Sequence, residues 1–185
     1  MGDKKIQMIL MKGKTLTKGR ELTVSRYIHG LTFSRNSLLV SYNSQPWLEV
    51  ISMDGNVLYQ FDKSGKSKQF KNPHFMCTTP DGSVFISDCG THTITKVDAQ
   101  LNILQTFPSP LQPCGITAVT DDQILVCSND NHSIVLLQPS TDTMTTLLGK
   151  DEGIEWPFSL TYCPDQKKVY VASFNPDTIK VYLMS

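Results

Sequence analysis

The sequence predicts an all-β fold built from a repeated four-stranded unit, and three observations carry that expectation. Four similar apolar runs recur: SLLVSY at 37–42, SVFISD at 83–88, QILVCS at 123–128 and KVYVAS at 168–173. Their central residues Val40, Ile86, Val126 and Val171 are 46, 40 and 45 residues apart. Turn-forming residues separate the runs, at Asp54-Gly55, Pro80-Asp81-Gly82, Asp121-Asp122 and Pro164-Asp165, where tight hairpins need them. Finally, no segment keeps a helical period over three turns. Four antiparallel strands repeating every ~40–45 residues is the signature of a β-propeller blade. A β-sandwich also spaces its strands regularly, but it does not require self-similar units.

Each unit reads the same way. A first run (GLTFS, FMCTT, GITAV, SLTYC) precedes the common run. A third run follows it: WLEVIS, TITKVD, SIVLLQ and TIKVYL. A turn then leads to a fourth run, VLYQF, ILQTF or MTTLL. The second runs are more continuously apolar than the outer ones, as strands buried on both faces require. The stretch KIQMILMKGKTLTKGREL aligns with WLEVISMDGNVLYQFDK and reads as the last half of a blade. One domain over 1–185 follows: a half blade at 5–22, blades at 28–70, 73–108 and 113–149, and a three-stranded blade at 157–183. The two strands at one end exceed the single strand wanting at the other. That surplus predicts an incomplete arc of a larger, six-bladed propeller, with self-association through its open blade edges.

Charge and cysteine usage narrow the classes. Lys and Arg number 17 and so do Asp and Glu, which excludes a strongly basic nucleic-acid coat and an acidic solvating tail. Residues 1–26 nevertheless carry a net +5 and the remainder a net −5. At 39% hydrophobic residues the chain can bury a core. The run Ile6–Met11 is too short for a membrane span or a signal peptide. Five widely spaced cysteines without a CxxC pair argue against a disulfide framework and a zinc site. Reduced thiols, a cytoplasmic location, no cofactor and no metal are the expectation.

The repeats resemble the NHL repeat. Val84-Phe85-Ile86-Ser87-Asp88 followed by Thr91-His92-Thr93-Ile94 looks like that family's strand, acidic turn and Asn-His-x-Ile signature. Asn131-His132-Ser133-Ile134 keeps the Asn-His pair itself, and Pro73, Pro113 and Pro157 open their repeats as the family's proline does. Gln45-Pro46-Trp47 and Pro176-Asp177-Thr178 stand where the motif degenerates. The texture is similar to the C-terminal propellers of tripartite-motif (TRIM) ubiquitin ligases, particularly invertebrate ones. That resemblance implies a recognition module that selects clients for ubiquitination. It would have no ligase activity of its own, because the family's RING, B-box and coiled-coil patterns do not occur in this sequence.

Other chemistry finds little support. Gly13-Lys14-Thr15 lacks the earlier glycine and the following helix of a phosphate-binding loop. His29, His74, His92 and His132 do not fall at ligand spacing within any strand. The plain reading of His92 and His132 is that they cap turns by bonding backbone across a blade boundary. Ser87, Asp88 and His92 are close in sequence, but nothing marks an oxyanion hole. A propeller hydrolase gathers carboxylates and amides at its channel mouth, whereas the innermost strands here read LTF, MCT, ITA and LTY.

The partner face is expected where the loops entering the innermost strands meet those joining the second and third strands. The first set brings Tyr27, His29, His74, Phe75, Cys114, Trp156 and Phe158. The second brings Tyr42, Asn43, Asn129, Asp130, Phe174 and Asn175. Aromatic anchors dominate contact surfaces, and the basic clusters lie mainly on outer hairpins. A protein client is therefore favoured, RNA is the alternative, and neither a membrane nor a small-molecule substrate is indicated.

Overall fold

The computed structural model describes residues 4–42, 46–61, 69–109, 112–174 and 178–184. Among them are seventeen strands and no helix. A hairpin of β1 (Lys5–Lys12) and β2 (Thr15–Thr23) comes first. Three four-stranded antiparallel sheets follow. One holds β3 (Ile28–Ser34), β4 (Ser37–Tyr42), β5 (Leu48–Ser52) and β6 (Val57–Phe61). The next holds β7 (Pro73–Thr78), β8 (Val84–Asp88), β9 (Thr93–Val97) and β10 (Ile103–Pro108). The third holds β11 (Pro113–Thr120), β12 (Gln123–Ser128), β13 (Ser133–Gln138) and β14 (Thr143–Leu148). A three-stranded sheet of β15 (Pro157–Cys163), β16 (Lys168–Ser173) and β17 (Thr178–Leu183) ends the chain. Each sheet pairs its strands in chain order, which is the meander of a propeller blade.

Local chemistry explains the hairpins. Arg35 and Asn36 both have positive φ, at 46° and 63°, between the paired Ser34 and Ser37, the two-residue turn whose twist matches its strands. Gly82 closes the β7–β8 turn at φ 86°, a backbone that a side chain would strain.

Packing runs from blade to blade. The hairpin contributes Leu22 and Val24 to a cluster with Leu38, Val40, Tyr42 and Ile51. Leu39, Leu48 and Val50 meet Val84, Ile86 and Val97. Phe85, Ile94 and Phe107 meet Ile116, Ile124 and Leu137. Leu125, Cys127 and Ile134 meet Leu160, Val169 and Val171. The second strands β4, β8 and β12 are thus covered on both faces, which accounts for their unbroken apolar runs. The innermost strands neighbour one another in the order β3, β7, β11, β15. Among the described residues, β15 and β3 share no extensive contact, as the end blades of an arc would not.

Close approach of the innermost strands has a sequence price. A Cβ on Gly115 would stand 2.6 Å from Ser159 Cα and 2.8 Å from Phe158 O. One on Gly30 would collide with His74 O. Both glycines occupy the same position of the repeat, and only a residue without a side chain lets the strands sit this near.

Candidate partner-binding face

The entry loops and the loops between second and third strands do meet on one side of the arc. The Asp88 carboxylate, fully buried, accepts N–H groups from Lys71 (2.7 Å), Asn72 (2.9 Å), Gly90 (2.8 Å) and Thr91 (3.0 Å). It binds the entry of β7 to the β8–β9 loop. One blade on, Asn129 Nδ2 donates to Pro157 O at 3.2 Å and ties the β12–β13 loop to the entry of β15. His92 and His132 cap as expected: their Nδ1 atoms accept the backbone N–H of Gln112 and Trp156, each at 3.1 Å. Both histidines take positive φ, at 56° and 52°.

Five aromatic rings assemble at the mouth of the arc. His29 and His74 have ring centroids 3.5 Å apart. His74 meets Phe75 at 4.4 Å and Phe158 at 6.0 Å. Phe158 meets Phe75 at 5.1 Å and Phe174 at 4.1 Å. Phe174 is 60% exposed and Trp156, edge-on to His132 at 4.4 Å, is 42% exposed. The repeat puts His29 and His74 in equivalent slots, 45 positions apart on neighbouring blades, and the structure brings their rings into contact. Their rings, tilted by 44°, lie closer than two imidazoles bridged by a metal, since ~2.1 Å bonds to a shared ion hold the rings farther apart.

The face is nearly uncharged. Burial, followed by the neighbouring His29, holds the His74 pKa down to about 4, and burial lowers that of His29. His29 Nδ1 is buried with no partner among the described residues. Positive charge enters at one edge, where the Arg26 guanidinium lies 4.4 Å from the Trp47 ring and Lys4 lies 5.4 Å from the Tyr27 ring, and at the exposed Lys71 in the entry of β7.

Three residues expected on this face are withdrawn from it. Tyr42 is 1% exposed, because its ring faces the hairpin cluster and its hydroxyl donates to the buried Glu49 carboxylate. Gln60 Nε2 donates to the other oxygen of Glu49 at 2.7 Å, so this carboxylate has two donors. Cys114 is 6% exposed beneath the rings, and burial, followed by Cys89 and Asp130, pushes its thiol up to about 11. It is therefore protonated at neutral pH and a poor nucleophile. Asn129 is 9% exposed and spends its amide on Pro157. Tyr27 and Asp130 are exposed, while Asn43 and Asn175 lie outside the described residues. Among the described residues no three His, Cys, Asp or Glu side chains gather as a metal site would require.

Residues 70–97 match the NHL repeat. No curated protein matches the chain in sequence. Among solved structures, a streptogramin B lyase superposes with a TM-score of 0.71 at 16% identity, over 100% of this chain and 63% of the lyase. Virginiamycin B lyase from Staphylococcus aureus gives 0.66 at 18% identity, over 99% and 64%. The WD40 repeats of RRP9 give 0.68 at 14% identity, over 96% and 54%. The chain therefore spans a little under two thirds of the two lyases. At such identities the likeness is one of fold, and the fold is a β-propeller carrying an NHL repeat.

Proposed function

We propose that this propeller is a non-catalytic interaction module whose aromatic loop face captures a protein client. We further propose that it selects substrates for ubiquitin-dependent degradation in the cytoplasm, in the manner of the TRIM-type ligases its repeats resemble. The observation that carries the reading is the uncharged cluster of His74, Phe75, Phe158 and Phe174, open to solvent at Phe174 and Trp156. Rigid aromatic anchors on a face with little charge suit a desolvated protein contact. They suit a phosphate backbone poorly, since that demands several cations.

RNA remains the second reading because Arg26 and Lys4 stack on Trp47 and Tyr27 at one edge, and stacked cation–aromatic pairs also bind single-stranded bases. A lyase activity like that named for the structural neighbours would need its own constellation. The buried, protonated Cys114 and the histidines engaged as turn caps do not supply one.

The test is affinity capture on the immobilised chain from cytoplasmic extract at physiological salt, with and without ribonuclease. The expected result is one defined protein retained in both arms and weakened about tenfold by Phe174→Ala or Trp156→Ala. Salt-steep retention that ribonuclease abolishes and Arg26→Ala weakens would replace this reading with the RNA one. Ubiquitin transfer by the isolated chain without an added ligase would overturn the non-catalytic assignment.

A further inference from the structure

We infer that the client segment taken by the loop face presents an arginine, stacked on Trp156 and Phe174 and paired with the carboxylates of Asp130 and Glu155; this rests on the protein-client function proposed above. The middle of the face holds the neutral His29 and His74 beside Phe75, but its two ends differ in charge. Lys4, Arg26 and Lys71 bring positive charge to the first two blades. At the other end Asp130, Glu155, Trp156 and Phe174 are exposed. Burial, then Cys89, then Asp130 raise the Cys114 thiol, so the Asp130 carboxylate stands near the floor of the ring cluster.

Backbone bonds bring these four residues together. Asn129, beside Asp130, donates its amide to Pro157 O, beside Trp156. Trp156 is held from two sides: its N–H bonds His132 Nδ1, and its carbonyl accepts the N–H of Phe174 at 3.1 Å. Glu155 directly precedes it, and the chain turns at Trp156 with φ 45°. Among the described residues neither Asp130 nor Glu155 has a hydrogen bond or an ion pair. The loop over 149–156 sets Lys150 against Asp151, Glu152 and Glu155, a net −2, and Lys180 is engaged on Gly153 O. Unpaired carboxylates beside an exposed indole and an exposed phenyl ring select a cation. A guanidinium suits them best, because its plane stacks on aromatic faces while its edge pairs with carboxylates. The same carboxylates repel a phosphate backbone, and the cations of the first two blades repel a client that is basic throughout. The client is therefore a segment with its arginine at the Trp156 end and uncharged or acidic side chains toward the first blade.

The experiment selects phage-displayed random peptides on the full chain, on a double variant with Asp130→Asn and Glu155→Gln, and on Trp156→Ala. Both carboxylates are exposed and unbonded, so the double variant keeps its fold, and circular dichroism verifies it. The wild type is expected to enrich peptides with an arginine next to an apolar residue. In fluorescence polarisation the tightest of them should bind the double variant about fivefold more weakly, and the wild type less well as salt rises. The double variant should still enrich apolar peptides, without the arginine. Peptides that show no excess of arginine, or that bind the double variant as well as the wild type, overturn the inference and leave the protein-client function standing. A wild type that enriches nothing beyond Trp156→Ala overturns both.

Discussion

His74 is the residue whose environment most changes its chemistry. It lies against His29, Phe75 and Phe158, and burial followed by the charge of a protonated His29 brings its pKa from an ordinary 6.5 to about 4. The folded chain thus resists a proton that the unfolded chain accepts. The stability tied to this group is whole above pH 6.5 and is lost as pH falls through that value toward about 4. The melting temperature is expected to drop over that window, and His74→Phe should flatten the drop. Carboxylates add a loss at the acid end. At Asp81 burial works upward, yet hydrogen bonds from Thr79 and Ser83 prevail and the net shift is downward, so its contribution fades as pH falls below about 5, and the comparison with His74→Phe separates the two. A melting temperature constant from pH 7 to pH 4 would show that the two imidazoles do not meet in solution.

At the scale of the element, the loop between second and third strands is held by one acidic residue. Asp88 satisfies four backbone N–H groups from two separate segments. Asp88→Ala leaves those part-buried donors without the carboxylate and is expected to cost about 2 kcal/mol. Asp88→Asn should cost less, because the amide retains one acceptor oxygen. Urea unfolding measures both, and a loss under about 0.5 kcal/mol for the alanine variant would mean that water replaces the carboxylate. The innermost strands have a different constraint. Ser87 Oγ donates to Cys114 O at 2.7 Å, and Gly115 admits Phe158 and Ser159 at contact distance. Neighbouring blades are therefore fastened at the axis by small residues and farther out by apolar ones.

Over the whole molecule, stability is that of a stack in which each sheet is covered by its neighbours. The sheets of β7–β10 and β11–β14 have partners on both faces. The last sheet has one on a single face, and Ile179, Val181 and Leu183 are 72%, 50% and 77% exposed on the other. Amide hydrogen exchange should be slowest in β8 and β12 and fastest in β1, β2 and β17. Equal protection of β17 and β12 would indicate that something covers the outer face of the last sheet in solution.

The repeat by itself determined the strands, their order and their four-strand grouping. Alternation and turn residues are local, and self-similarity at a fixed period fixes how the units stack. His92 and His132 were legible as turn caps for the same reason, since a repeated position repeats its bond. The positions of Tyr27, Trp156 and Phe174 on the loop face also followed from the repeat. Only the tertiary structure decided which of the aligned residues reach solvent. Tyr42, Cys114 and Asn129 occupy loop-face positions of the repeat, yet each is drawn inward by a partner: Glu49, the ring cluster and Pro157. The meeting of His29 with His74 depends on the angle between two blades. That angle is set by the summed packing of side chains at the blade boundary, and no single stretch of sequence encodes it.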